Sequence, residues 1–125
     1  NQMLDTIAFF LNGANESSQE SLVMKSVRVR VLACVDASYH DAGLTPLIIA
    51  HQCGISRRYL YKVFADGPSI MTHVRHRRLQ AAREIIQARG KTLTLTSIAL
   101  ACGFSNSSEF SRLFKSEFGV KPSEY

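Results

Sequence analysis

Arg57, Arg58, Tyr61 and Lys62 crowd into six residues and carry groups that can read the edges of base pairs. An arginine can fork onto O6 and N7 of guanine, and a tyrosine ring can lie against a thymine methyl. On a helix, neighbours three and four apart share a face, so this set lies on one side. A second set follows at Asn106, Ser107, Ser108, Ser111 and Arg112. It is poorer in base-reading groups, and its hydroxyls suit phosphate oxygens or permissive base contacts. The first set is therefore expected to supply specificity and the second to supply positioning.

Other chemistry is poorly provided for. His73 and His76 stand three apart and share a helical face, but no third ligand follows at a useful spacing. His51 and Cys53 are two apart and point differently. The chain has no Gly-rich phosphate loop, no nucleophile constellation and no enclosed carboxylate pair. The expectation is a protein that is not an enzyme and holds neither metal nor cofactor. Cys34, Cys53 and Cys102 lie among apolar residues without CxxC spacing, so buried free thiols in a reducing, cytoplasmic setting are expected. No secretory signal and no membrane-length apolar run is visible.

The elements that position the two sets come as a repeat. Cys53-Gly54-Ile55-Ser56 and Cys102-Gly103-Phe104-Ser105 each separate two short helical patterns. Helix, glycine turn, then a helix bearing basic residues is the helix-turn-helix arrangement. Thr45 with Pro46, Ser56, Thr94 and Asn106 with Glu109 mark helix starts, and Gly54, Gly90 and Gly119 mark stops. Ala50 and Ala99 allow close helix crossing; Ile55, Leu60, Val63 and Phe64, like Phe104, Phe110, Leu113 and Phe114, read as core.

Between the motifs, about 69–88 reads as one helix with an apolar stripe of Ile70, Val74, Leu79, Ala82, Ile85 and Ile86. Its length is about 30 Å at about 1.5 Å per residue. That approaches one DNA turn of about 34 Å, so one chain could place both reading helices in successive major grooves, with some bending of the DNA. Arg75, Arg77, Arg78 and Lys91 are candidate phosphate contacts.

Upstream, a helix is expected from about Ser18, capped by Ser17 and Glu20, to about His40, with Val23, Val27, Val31, Cys34 and Val35 on its inner face. Val27-Arg28-Val29-Arg30-Val31 alternates like a strand, but the helical spacing persists beyond it. Residues 12–18 read as a polar linker, and 3–11 as an apolar piece of an upstream domain or a docking helix. The fold class is all-α: two helix-turn-helix subdomains, about 21–67 and 92–125, joined by the linker helix, about seven helices in all. Residues 1–20 form the tail and linker. The charge is uneven: −2 over residues 1–45 and +7 over 46–125, within a net +5. A polyanionic partner is thus expected for the C-terminal part.

These residues resemble the DNA-binding domain of the AraC/XylS family of bacterial transcription regulators, from about Ser21 to Tyr125. The match includes residues 49–64, Arg78-Leu79 with Ala82-Arg83, and Ile98-Ala99 followed by Cys102-Gly103-Phe104-Ser105. It continues through Phe110-Ser111-Arg112-Leu113-Phe114-Lys115, Phe118-Gly119 and Pro122-Ser123-Glu124-Tyr125. The resemblance implies an activator that reads double-stranded promoter or operator DNA and helps recruit RNA polymerase. It implies a small-molecule effector bound only through a missing N-terminal domain, of which residues 1–16 would be the end. The chain opens on Asn1, as a fragment of something longer would. The isolated chain is expected to be monomeric. By position, Arg58, Tyr61 and Lys62 match the family's major-groove contacts in the first motif, and Ser107, Ser108, Ser111 and Arg112 those in the second. The family varies widely at Arg58 and Tyr61, so the bases read do not carry over. A rival reading is a helix-turn-helix module that binds only protein; the basic residues kept on both reading helices argue against it.

Overall fold

The computed structural model describes residues 12–125, with side chains from residue 18 onward except Lys91. The described residues form six α-helices and no strand. They are α1 (Asn12–Ser38), α2 (Pro46–Gln52), α3 (Arg57–Val63), α4 (Ile70–Arg89), α5 (Leu95–Ala101) and α6 (Ser107–Phe118). A 3-10 turn, Gly90–Thr92, links α4 to α5. The apolar piece at 3–11 lies outside the described residues, as does the Lys91 side chain.

Most boundaries follow local chemistry. Thr45 Oγ1 accepts from Ile48 N–H, Ser69 Oγ from Thr72 N–H and Thr94 Oγ1 from Ser97 N–H, each satisfying one orphan donor of a first turn. Gly119 ends α6 in the left-handed conformation at φ 81°, where a side chain would be strained. After α6, residues 122–124 form only a turn, in which Glu124 and Tyr125 N–H both reach Lys121 O at 3.0 and 3.1 Å.

The start of α1 corrects the sequence reading. Residues 12–17 are helical rather than a linker, so Ser17 with Glu20 does not cap a helix. Gly13 weakens a helix by only about 1 kcal/mol relative to Ala, and extending a helix adds a hydrogen bond for each residue fixed. Within α1 the buried stripe is Val27, Val31 and Val35, with Met24 packed at its edge. Val29 is 69% exposed, which rules out the strand reading of this stretch. Val23 is 55% exposed: the stripe drifts to Met24, and Val23 falls outside it.

Two cores share one helix. The first packs α1, α2 and α3 against Ile70 and Val74 of α4. The second packs α5 and α6 against Leu79, Ala81, Ala82 and Ile86 of α4. Tyr39 touches both. In the second core Phe104, Phe110, Phe114 and Phe118 form an aromatic ladder with centroids 4.6–5.7 Å apart from one ring to the next, and Tyr125 adds a ring 5.7 Å from Phe114 and 6.5 Å from Phe118. Phe110 and Phe114 are wholly buried, and each such side chain contributes about 1.5–3 kcal/mol on leaving water.

Candidate nucleic-acid interface

The two reading helices are held alike by turns of different length. In the first motif Cys53 caps α2, Gly54 turns at φ 68°, and Ser56 opens α3 by accepting from Tyr59 N–H at 3.0 Å. In the second, Cys102 caps α5, Gly103 turns at φ 95°, and the cap is Asn106, whose Oδ1 accepts from Glu109 N–H at 2.8 Å. The repeated Cys-Gly-x-Ser would align Ser105 with Ser56, but α6 starts one residue later. Ile55 N–H bonds Ala50 O at 3.0 Å and Phe104 N–H bonds Ala99 O at 2.9 Å, so each turn is anchored at its small alanine.

On α3, Leu60 and Val63 are buried and Arg57, Arg58, Tyr61 and Lys62 are exposed, in a single basic face. On α6, Phe110 and Phe114 are buried, Ser108 and Arg112 exposed, and Ser107 and Ser111 half-buried. Two candidates carry a second engagement. The Asn106 side-chain oxygen is taken by its cap, which leaves only its amide N–H groups for DNA. Lys62 Nζ pairs with Glu20 Oε1 at 3.2 Å, a contact that sequence reasoning missed because the partners are 42 residues apart. Both side chains are about 60% exposed, and such pairs contribute roughly 0–1 kcal/mol, so phosphate can displace Glu20.

The basic waist of α4 is a different matter. Arg77 Nε donates to Asp36 Oδ1 at 2.6 Å and its guanidinium lies 4.4 Å from the Tyr39 ring centre. Arg78 donates from Nε to Tyr39 O at 2.7 Å and from Nη2 to Asp41 O at 2.8 Å. Burial pulls the Arg78 guanidinium below its usual value, against the opposing pull of Asp41 and Glu109. Arg77 and Arg78, candidate phosphate contacts in the sequence, fasten the end of α1 and the turn after it to α4. Arg75 remains exposed. Gly103 lies on this lock: a Cβ there would stand 2.4 Å from Tyr39 O and 2.7 Å from Arg78 Nε. The turn of the second motif therefore rests directly on the first unit.

The two histidines part company. His76 Nδ1 meets Glu117 Oε1 at 2.7 Å and ties α4 to α6. His73 packs against Phe64 with its Nε2 buried and without a partner. No group of three metal-ligating side chains occurs among the described residues. Burial, then the charges of Arg28 and His76, lower the His73 pKa below its ordinary value. A depressed base favours folding while neutral, and the unfolded chain takes up the proton first. Stability is therefore full above the ordinary imidazole range, about pH 6.5, and falls as pH drops below it toward the folded-state pKa. A His73→Leu variant is expected to lose less melting temperature than the parent between pH 7.5 and 5.5. Equal losses would show that burial of His73 carries no proton penalty.

Fold and surface together define a two-headed helix-turn-helix protein, with one outward polar face per head, the first of them basic. A helix-turn-helix domain family model matches residues 49–125. The transcriptional activator NphR of a Rhodococcus species is 35% identical over 97 residues, covering 77% of this chain and 28% of its own. The probable transcription factor PqrA of Proteus vulgaris is 35% identical over 87 residues, covering 68% of this chain and 70% of its own. The crystal structure of a probable AraC family transcriptional regulator from Rhodopseudomonas palustris superposes with TM-score 0.69 at 33% identity, over 79% of this chain and 93% of that one. The chain belongs to the AraC-type helix-turn-helix family of transcription regulators. It spans under a third of the length of NphR.

Proposed function

We infer that this chain is the DNA-reading part of a bacterial transcription activator, which enters successive major grooves of a promoter with α3 and α6. The observation that carries this reading is the pair of outward polar faces, each at the start of the second helix of a motif, on two units built around one shared helix. Arg57, Arg58, Tyr61 and Lys62 read bases in the first box. Ser107, Ser108, Ser111 and Arg112, with the Asn106 amide, hold phosphates and make permissive contacts in the second. The net +7 of residues 46–125 draws the duplex in, with affinity that falls steeply in salt. Recruitment of RNA polymerase and response to a small effector, through sequence outside this chain, complete the proposed role in the cytoplasm. No helix among the described residues is long and apolar enough to cross a membrane.

Selection of the purified chain against random duplex DNA at two salt concentrations tests the reading. Two short boxes about one turn apart are expected. A single box would restrict specificity to one motif, and no enrichment at either salt concentration would overturn the proposal. Within the selected site, Arg58→Ala is expected to cost about 1–3 kcal/mol of affinity and to relax preference at one base pair. An equal loss on all sequences would move Arg58 from base reading to phosphate binding.

A further inference from the structure

Two of the three cysteines meet across the first unit. Cys34 lies on α1 and Cys53 caps α2; they are 19 positions apart in sequence, and their sulfurs stand 3.1 Å apart, with the Cys53 thiol donating to Cys34. All three cysteines are free thiols. Closing a bond between these two requires the sulfurs to approach by about 1 Å, to the usual disulfide length near 2.05 Å. Cys34 is half-exposed, whereas Cys53 is buried within the core of α1, α2 and α3. Cys102 sits alone in the other core, 1% exposed.

We propose that Cys34 and Cys53 are a redox modification site: a dithiol that a hydroperoxide converts into an intrachain disulfide stapling α1 to the first helix-turn-helix. The order of events follows from exposure. The Cys34 thiolate attacks the peroxide; an S–O bond forms, the O–O bond breaks, and the departing hydroxide or alkoxide takes up a proton. The Cys53 sulfur, releasing its proton, then attacks the Cys34 sulfenic acid; the S–S bond forms, the S–O bond breaks and water leaves. Both sulfurs are oxidised and the peroxide is reduced to water or an alcohol. Burial, reinforced by Cys34, pushes the Cys53 thiol up to about 11, which suits it to the second step rather than the first. The contact distance offsets its low thiolate fraction. Burial also pushes the Cys102 thiol up to about 11, and no other cysteine faces it, so it serves as an internal control.

The test uses the purified chain, dilute hydrogen peroxide and a thiol count under denaturing conditions. The count is expected to fall from three to one, with an intact mass lower by two hydrogens and a Cys34–Cys53 peptide on mapping. Dithiothreitol should restore all three thiols, and Cys102→Ser should lose the same pair. The oxidised chain is expected to melt about 10 °C higher, from the closed loop alone. Three surviving thiols, linkage between two chains, or Cys34 carried to sulfinic acid beside an intact Cys53 would each overturn the proposal. None of these readouts involves DNA, so failure here leaves the DNA-reading proposal untouched.

Discussion

Gly103→Ala is expected to lose about 3–5 kcal/mol of folding stability, against about 1 kcal/mol for Gly54→Ala, although the two glycines hold the same place in the repeated motif. Both turn with positive φ, 95° at Gly103 and 68° at Gly54, so both substitutions strain the backbone. Only one also collides. Around Gly54 nothing lies within 4 Å of a new Cβ, while at Gly103 the first obstacle is the backbone oxygen of Tyr39 at 2.4 Å. The second obstacle is Arg78 Nε at 2.7 Å, which that same oxygen holds in place. Neither can retreat without breaking the contact between the two units. Urea unfolding of both variants measures the difference. Equal losses would mean that positive φ accounts for everything and that the close approach of Gly103 to Tyr39 adds nothing.

Arg78→Leu has the second largest expected effect, about 2–4 kcal/mol of stability, because two charge-assisted hydrogen bonds go and the Tyr39 and Asp41 carbonyls lose the guanidinium. The guanidinium also carries positive charge at the C-terminal end of α1, where the helix dipole favours it. Its loss is expected to loosen the angle between the heads. Binding to a two-box duplex should then weaken, while binding to a duplex carrying only the first box stays near the parent value. A phosphate-contacting Arg78 would behave otherwise: both duplexes would bind less tightly, the salt dependence would flatten, and unfolding would be unchanged. Those two patterns separate an orienting residue from a DNA contact.

What was legible in the sequence is what acts over three or four residues. The caps at Thr45, Ser56, Thr94 and Asn106 and the stops at Gly54, Gly90 and Gly119 stand in the structure as read, and so does the apolar stripe from Ile70 to Ile86 except that Ile85 is only partly buried. The outward faces of α3 and α6 were readable for the same reason, since residues three and four apart share a face of a helix. The exposure of Arg57, Arg58, Tyr61, Lys62 and Arg112 agrees with that reading. Even here, local signals compete. Ser17 with Glu20 has the pattern of a cap yet lies inside α1, because continuing a helix is favoured over starting one.

By itself, then, the sequence determined an all-helical fold, the polar and apolar sides of its helices, and a repeated motif that resembles one regulator family; it counted about seven helices where the described residues form six. Tertiary structure alone decided which polar groups on those helices are available to a partner. Arg77 and Arg78 look like surface charge until the end of α1 arrives from 37–41 positions away and takes up their hydrogen bonds. Gly54 and Gly103 look equivalent until one of them is pressed against Tyr39. Cys34 and Cys53 look like unrelated core thiols until α1 and α2 pack. The physical reason is common to all three. Periodicity and capping are written in neighbouring residues, whereas a long-range contact depends on how already formed helices dock, and no local spacing encodes which side chains meet there.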